Sequence, residues 1–512
     1  MKEKLDMRNK NVYFITKGNI SLEDIEKWNS VDLINGWILH YDNNMKVAIS
    51  QNRNAVLLGT AWQVEGDETP YQQVKQFKSN TPPEVLLNSE QNWCGKYILI
   101  INEVIYTDLT ASLRCFYTED IISNSIQLIS RIKKVYYNDG LIAFRNWFPG
   151  PLTPYDGIMR LLPSQILDFD KTLTYERAIF EGNIRSFESE EKRNEEFIRL
   201  FSSNLHNMEG ELNGRLCLPL TGGVDSRTIF AFLVSEQIPF SAFTLEHSRI
   251  AEGDRILPGE LCKKSKIDYR FINMNEAGFD SDTIRSRRRT FDDYVCGLVS
   301  DADNEFYQYG SYEELLKSEN DNIIILSGAI WEMCIGSFYY RHKMWRNTQI
   351  DNMKDVEYAM PETVIKSDRR RSMKKFLELC NSSKKNAFME DTDRWYWDQV
   401  DGVWNSDIDD AFNIYDNISV VEPLNSRTFF KILFGYDKER RYGKDHQKAL
   451  IRMVCPIIGD FPYADEFQAK KKWQGKRNRF FNELKRAFVV IESYGLSECI
   501  KYYNWRITRK KK

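Results

Sequence analysis

The chain has 512 residues, which is longer than a domain with a single hydrophobic core usually is. We therefore expect two domains, with three as the alternative. Hydrophobic residues make up 42% and charged residues 28%, the proportions of an ordinary globular protein. The 71 basic residues nearly balance the 74 acidic ones, and the formal charge is −3. This balance disfavours nucleic acid as the main partner.

Cysteines, histidines and apolar runs exclude several classes of protein. No two of the nine cysteines form a CxxC pair, and the five histidines have no metal-ligand spacing. The first residues, MKEKLDMRNKNVYF, lack the apolar core of a signal peptide, and no apolar run approaches the ~20 residues that span a bilayer. We therefore expect a cytoplasmic protein with reduced thiols and no membrane partner.

Residues 1–185 are predicted to form a β-rich first domain. Short apolar runs recur there between turn signals, which is typical of strands. The runs are GWILHY (36–41), KVAIS (46–50), AVLLGTAW (55–62), KYILIINEVIYTD (96–108) and SQILDFD (164–170).

Residues 186–512 are predicted to form a second domain. Its strands, separated by segments of helical periodicity, are predicted at 216–220, 240–245, 269–274 and 322–328. This alternation is typical of a parallel sheet with helices on both faces. Helical periodicity then dominates toward the C-terminus, so the predicted fold class is α/β with a β-rich N-terminal domain.

The segment LPLTGGVDSR (218–227) has the clearest chemical signal. A strand runs into Gly222 and Gly223, and a helix is predicted to begin near Ser226. Glycines permit backbone angles that other residues avoid and let the main chain approach a ligand closely. Successive N–H groups and the helix N-terminus can then face a phosphate. The pattern predicts an anion-binding cradle.

Three side chains of this loop complete the predicted cradle. The hydroxyls of Thr221 and Ser226 can donate to phosphate oxygens, and Asp225 is a candidate ligand of Mg²⁺. The structural alternative is a tight turn whose Asp or Ser caps a helix. No GK[ST] follows, so this is not a Walker loop. Cradles of this kind hold the pyrophosphate released from ATP, which implies AMP-forming chemistry.

TGGVDS (221–226) resembles the SGGxDS signature of the asparagine synthetase family, and weaker matches follow along the chain. The resemblance implies that the strand in FTLEHS (243–248), including Thr244, holds adenine, and that Glu252 or Asp254 is the acidic residue before the next helix. A later segment resembles the family's second signature, which implies that Ser327 and Gly328 bind ATP and that Glu332 binds the metal. EPLNSR (422–427) resembles the family's PFLD turn, and GKDHQKALIRM (443–453) resembles its K-x-LLR helix. QAKKKW (468–473) resembles its catalytic loop, which implies that Lys470 is the catalytic lysine.

The N-terminal half resembles the family's glutaminase-type domain, an Ntn-type sandwich, at residues 93–97 and 106–118. A working glutaminase needs a cysteine at the mature N-terminus, whereas this chain begins with Met1 and its first cysteine is Cys94. We therefore expect no glutamine hydrolysis, as in the β-lactam synthetase branch of the family. Another amine must then be the nucleophile.

The second signature departs from the family pattern. Glu332 stands where the family has a metal-binding Asp, and Ala329 replaces the Glu of asparagine synthetases or the Tyr of β-lactam synthetases. Ile330 and Trp331 replace small residues, which predicts a differently shaped acceptor pocket. The alternative for Glu332 is a glutamate on a helix surface.

Together these features predict an amide synthetase that uses ATP and Mg²⁺ to adenylate a carboxylate and transfers it to an amine. The carboxylate belongs to a small molecule, a peptide or a glycan, and a homodimer is an allowed assembly. Two residue roles stay open: Arg227 contacts phosphate or lies on a helix surface, and Lys470 stabilises the collapsing acyl-adenylate or is a solvated lysine.

Two other functions compete with this prediction. The first is a non-catalytic nucleotide-binding scaffold, which the missing N-terminal cysteine and the altered second signature favour. The second is a tRNA-modifying ATP pyrophosphatase that shares the cradle. The lack of paired cysteines and of a strongly basic domain disfavours that enzyme class.

Overall fold

The computed structural model describes residues 11–18, 28–136, 148, 150–177, 186–246, 250–273, 298, 322–334, 391–414, 417–464, 466 and 500. Lys470 and the rest of QAKKKW lie outside the described residues, as do His247 and Ser248 of FTLEHS.

The N-terminal part contains two antiparallel sheets of six strands each, in the orders β10-β8-β9-β1-β3-β2 and β12-β11-β7-β6-β5-β4. The strands are β1 (Tyr13–Lys17), β2 (Asn29–Asp32), β3 (Trp37–Tyr41), β4 (Val47–Ile49), β5 (Ala55–Gln63), β6 (Trp93–Ile101), β7 (Val104–Thr107), β8 (Phe116–Tyr117), β9 (Ile121–Ser123), β10 (Met159–Arg160), β11 (Gln165–Asp168) and β12 (Leu173–Glu176). Each of the five apolar runs predicted from the sequence contains strand residues, and KYILIINEVIYTD supplies both β6 and β7.

These two sheets pack face to face with helices outside them. Strand β6 is buried on both faces: Ile98 and Ile100 lie in the core between the sheets, while Tyr97 and Leu99 face the helices. Helices α1 (Pro70–Gln76) and α2 (Pro83–Glu90) cover that second face, and α3 (Ile126–Lys133) covers the outer face of the other sheet. The layers therefore run helix, sheet, sheet, helix.

The C-terminal part is built on a five-stranded parallel sheet of order β15-β14-β13-β16-β17. Its strands are β13 (Arg215–Pro219), β14 (Ser241–Glu246), β15 (Asp268–Asn273), β16 (Ile323–Leu326) and β17 (Ile418–Val421). The predicted parallel sheet is confirmed, and β17 is a strand that the sequence analysis did not identify.

Helices surround this sheet. They are α4 (Glu190–Glu211), α5 (Asp225–Ser235), α6 (Glu252–Ser265), α7 (Trp331–Cys334), α8 (Asp391–Tyr396), a π-helical segment (Trp397–Asn405), α9 (Ser406–Ala411), α10 (Arg427–Leu433), α11 (Lys438–Tyr442), α12 (Asp445–Val454) and α13 (Pro456–Gly459). One face of the sheet packs on α4, α5, α10 and α12 in the largest core, and Phe412 lies against the other face. None of the helices described here combines the length and hydrophobicity that crossing a membrane requires.

Buried polar contacts join the two parts. Trp62 of β5 donates its indole N–H to Asn204 of α4 over 2.8 Å, and Asn204 donates to the carbonyl of Pro423 over 2.8 Å. Arg427 of α10 donates to Glu90 of α2 over 2.7 Å. The predicted boundary near residue 185 stays a prediction, because residues 178–185 lie outside the described residues.

Candidate functional site

The TGGVDS loop lies at the centre of the parallel sheet. It leaves the carboxyl end of β13 and enters α5 at Asp225. From β13 the chain proceeds outward to β14 and β15 on one side, whereas β16 and β17 extend on the other. The strand order therefore reverses between β13 and β16. In open α/β sheets, the crevice outside such a reversal is where ligands bind.

Backbone N–H groups of the loop donate to side-chain oxygens. The N–H of Thr221 lies 3.1 Å from the Ser226 hydroxyl, and the N–H of Gly223 lies 3.2 Å from the Thr221 hydroxyl. The N–H of Gly222 donates to the Asp254 carboxylate over 2.8 Å. Asp254, one of the two acidic candidates in the first turn of α6, is thus in contact with the cradle.

The two glycines serve different purposes, which corrects the expectation that both permit unusual backbone angles. Neither Gly222 nor Gly223 has a positive φ. A Cβ at Gly222 would lie 2.9 Å from the carbonyl oxygen of Gly253 and 3.0 Å from the Cβ of Ala464. Gly222 is thus required for chain packing. At Gly223 a Cβ would meet only the Thr221 hydroxyl, at 3.2 Å, so packing requires a glycine less strictly at this position.

The carboxylate of Asp225 accepts hydrogen bonds on both oxygens. Lys444 donates to Oδ2 over 2.7 Å, and Gln447 donates to Oδ1 over 2.9 Å. Lys444 precedes α12, and Gln447 lies on its first turn, so α12 carries both donors to the start of α5. The predicted metal ligand is therefore engaged with an ammonium group and an amide.

Arg227 is fully buried, so the alternative of an arginine on a helix surface is wrong, whereas its contact with phosphate stays a prediction. Its guanidinium donates to the carbonyls of Gly222, Phe461 and Pro462 over 2.9 to 3.1 Å. Five N–H donors on a rigid fork suit this residue to tying several carbonyls together. Arg227 thus fixes the 461–464 segment against the back of the cradle.

The hydroxyl of Thr244 donates to the carbonyl of Leu220 over 2.7 Å, and its side chain is buried. This bond holds β14 to the residue that opens the cradle loop. Contact between Thr244 and adenine stays a prediction.

The second predicted signature lies against the cradle. Gly328 follows β16, and a Cβ at this position would lie 3.6 Å from both the carbonyl carbon of Asp225 and the backbone N of Ser226. Beside it, Ser327 donates to Glu422 over 3.2 Å and accepts from the N–H of Ala329 over 3.3 Å. The segment after β16 therefore lies directly beside the start of α5.

Glu332 lies in the short helix α7 and is half-buried, so it is not fully exposed on that helix. Tyr396 donates its hydroxyl to Glu332 over 2.5 Å. Over the described ranges no group of three or more His, Cys, Asp or Glu side chains is placed to hold a metal ion. Both oxygens of Asp225 are also engaged, so a metal ion on this carboxylate would have to displace Lys444 or Gln447.

Glu422, which accepts a hydrogen bond from Ser327, belongs to a cluster of carboxyl groups with Asp401 and Asp409. Burial raises the pKa of Glu422 well above its usual value, and the neighbouring Asp409 and Asp401 raise it further. Burial likewise raises the pKa of Asp401, with Glu332 as the next cause, and raises the pKa of Asp409 to about 6 against the opposing effect of Lys96. These groups are biased toward the neutral form, which can donate a hydrogen bond.

Lys444, Gln447, Glu422 and Asp401 were not singled out from the sequence. Lys444 and Gln447 are three residues apart in GKDHQKALIRM, so helical spacing could have paired them. For Asp401, the described residues offer no comparable local signal. It accepts a hydrogen bond from Asn405 of the same segment, whereas Glu332 and Glu422 reach it from distant parts of the chain.

No protein-family model matches the chain, and a search of curated proteins gives no match. Among solved structures, the chain is similar to a glutamine-dependent NAD⁺ synthetase from Acinetobacter baumannii in complex with ADP, at 15% identity and a TM-score of 0.21, over 41% of each chain. An NMN synthetase from Francisella tularensis matches at 12% identity and a TM-score of 0.20, over 42% of this chain and 97% of that one.

A U34-tRNA thiolase from Methanococcus maripaludis, with its [4Fe-4S] cluster, matches at 13% identity and a TM-score of 0.20, over 52% of this chain and 82% of that one. The chain thus spans less than half the length of the NAD⁺ synthetase.

Proposed function

We propose that this chain is an ATP-dependent ligase that adenylates a substrate carboxylate and passes the acyl group to an amine, releasing AMP and pyrophosphate. The position of the TGGVDS loop supports the proposal, because it opens a helix at the carboxyl edge of a parallel sheet where the strand order reverses. Its N–H and hydroxyl donors suit phosphate oxygens. The resemblance to asparagine synthetases supplies the type of reaction.

The observation that carries the proposal is the contact between the two signature segments. Gly328 lies against the backbone of Asp225 and Ser226, where a Cβ would be only 3.6 Å away. If the pyrophosphate end of ATP lies in the cradle, the segment after β16 lies beside it. A carboxylate entering along that wall could reach the α-phosphorus.

In the proposed reaction, a carboxylate oxygen attacks the α-phosphorus, and the bond to the bridging oxygen breaks so that pyrophosphate leaves with the electron pair. The amine nitrogen then attacks the acyl carbon, loses a proton and expels AMP, which yields the amide. Donors of Thr221 and Ser226 would stabilise charge on the leaving pyrophosphate. Lys470 is proposed to stabilise the second step, and the metal role of Asp225 and Glu332 stays a prediction.

The amine is proposed to come from a source other than glutamine. Cys94 is fully buried, its thiol lies 3.3 Å from the carbonyl oxygen of Pro423, and burial raises its pKa well above the usual value. Burial also raises the pKa of Cys115 to about 12. A nucleophilic thiol must be accessible and ionised, so neither residue suits the task. We propose that the N-terminal part is a glutaminase-like scaffold.

The test is ATP–pyrophosphate exchange with a panel of small carboxylic acids, peptides and glycan-linked acids. Asp225→Ala should reduce exchange at least about 100-fold, because it removes the anchor that holds Lys444 and Gln447 at the cradle. The matched control is Glu195→Ala, which removes an exposed carboxylate from α4. Near wild-type exchange by a folded Asp225→Ala protein would contradict the proposed site.

The second candidate is a nucleotide-binding scaffold without catalysis. It is favoured by the engagement of Asp225 with Lys444 and Gln447 and of the Gly222 N–H with Asp254. A scaffold would bind ATP in calorimetry and release no pyrophosphate with any acid of the panel. Pyrophosphate release in the presence of one acid would exclude it.

A further inference from the structure

We propose that Lys444 is the built-in cation of the cradle: its ammonium holds the place on Asp225 that a metal ion would take, and it passes to pyrophosphate when that anion binds. Pyrophosphate would then bind the cradle without a divalent metal. This inference rests on the proposed function and assigns the source of positive charge at the same site.

The cradle needs such a cation because two carboxylates border it. Asp225 opens α5, and Asp254 accepts the Gly222 N–H over 2.8 Å. Both repel a polyanion, and backbone dipoles carry only partial charges. Arg227, the nearest arginine along the chain, is buried with its guanidinium on three carbonyls. The Lys444 ammonium, 2.7 Å from Asp225, is in place to supply the charge.

The donors around Asp225 favour an ammonium over a metal ion. A divalent metal such as Mg²⁺ binds carboxylate oxygens directly, whereas Oδ2 of Asp225 faces Lys444 and Oδ1 faces Gln447. Glu332, the predicted second ligand, accepts from Tyr396. A metal on Asp225 must displace Lys444, so the ammonium and the metal compete for one carboxylate.

Lys444 can change partners without moving its helix. Its backbone is fixed by the N–H bond to Arg441 over 3.0 Å and by the bond from Lys448 over 3.1 Å, and α12 packs on α5. Its side chain is 21% exposed, so the ammonium reaches the crevice on a flexible stem. When it leaves, Gln447 retains its hydrogen bond to Asp225 and keeps the carboxylate oriented.

The experiment is isothermal titration calorimetry of the full chain with inorganic pyrophosphate, in EDTA and in excess Mg²⁺. Wild type should bind pyrophosphate in EDTA. Lys444→Met should weaken this binding at least about tenfold, which is the usual loss of affinity when a charge-assisted hydrogen bond is removed. Lys444→Arg should recover part of the loss because it keeps the charge. Lys192→Met, which removes an exposed lysine from α4, should match wild type.

Mg²⁺ supplies a second readout. In Lys444→Met, Asp225 is released from the ammonium, so Mg²⁺ should strengthen pyrophosphate binding by a larger factor than in wild type. Equal binding of folded Lys444→Met and wild type in EDTA would overturn the inference, as would wild-type binding that requires Mg²⁺; in both cases the proposed function stands. If wild type binds neither pyrophosphate nor ATP under either condition, the proposed function fails together with the inference.

Discussion

Gly222 and Gly223 are adjacent, yet an added methyl group would have opposite consequences at the two positions. At Gly222 it would clash with Gly253 and Ala464, at 2.9 and 3.0 Å, and backbone atoms cannot move away cheaply. At Gly223 it meets only the end of the Thr221 side chain, at 3.2 Å. The first glycine therefore serves stability, and the second is free to serve ligand binding.

We predict that Gly222→Ala lowers the free energy of unfolding by about 1–3 kcal/mol, the usual cost of overpacking. Gly223→Ala should leave that free energy within about 0.5 kcal/mol of wild type while weakening ATP binding, since its methyl group enters the cradle opening. Urea denaturation and calorimetry with ATP measure the two effects. Equal destabilisation by both substitutions would show that the difference in packing is immaterial.

Helix α9 joins the parallel-sheet part to the antiparallel sheets through buried charges. Asp407 of α9 accepts from Arg160 over 2.6 and 2.7 Å and from Arg114 over 3.2 Å, and Arg114 also pairs with Asp410. Arg160 and Asp407 are each about 1% exposed. Removing one partner of such a pair leaves an uncompensated buried charge, which costs more than the pair itself contributes.

We expect Asp407→Asn to lower the free energy of unfolding by about 3–5 kcal/mol, because it leaves Arg160 without its main counter-charge. The control is Glu195→Gln, which breaks an exposed pair with Lys192 and should cost about 0.5 kcal/mol or less. Urea denaturation followed by circular dichroism measures both. The two variants losing the same stability would contradict the structural role of the Arg160–Asp407 pair.

The titratable groups of the protein affect the pH dependence of its stability in opposite directions. Burial lowers the pKa of His446 from 6.5 to about 3. Between these two pH values the unfolded chain binds a proton on this histidine, whereas the native state does not. Stability is therefore lost as pH falls below about 6.5. Burial raises the pKa of Asp393 and Asp409 to about 6, so the native state takes up those protons first and stability is gained as pH falls through 6.

A comparison with His446→Gln separates the histidine from the carboxyl groups. Between about pH 7.5 and pH 5, wild type should lose about 2 kcal/mol of stability that the variant, which has no proton to take up, does not lose. The gap in unfolding free energy between the two proteins should narrow by that amount. A gap that is constant with pH, measured by urea denaturation, would show that His446 is protonated equally in both states.

The sequence by itself determined the elements whose signal is local. Short apolar runs at 55–62 and 96–108 predict strands, and a strand, two glycines and a helix at 218–227 predict the loop of the cradle. These patterns need only neighbouring residues. Strand β17 is not predicted because its four residues are too few to show a clear period-2 pattern within a sequence region of helical periodicity.

The side chains that surround the cradle are set by tertiary contacts between segments far apart in the sequence. Lys444 lies 219 residues from Asp225 along the chain, and Arg227 is bonded to carbonyls more than 230 residues away. Sequence periodicity does not predict which side chains donate hydrogen bonds to a given carboxylate, because those contacts depend on how the helices pack across the sheet. For the same reason, Gly222 was taken for a turn residue, although it is a glycine because Gly253 and Ala464 pack against it.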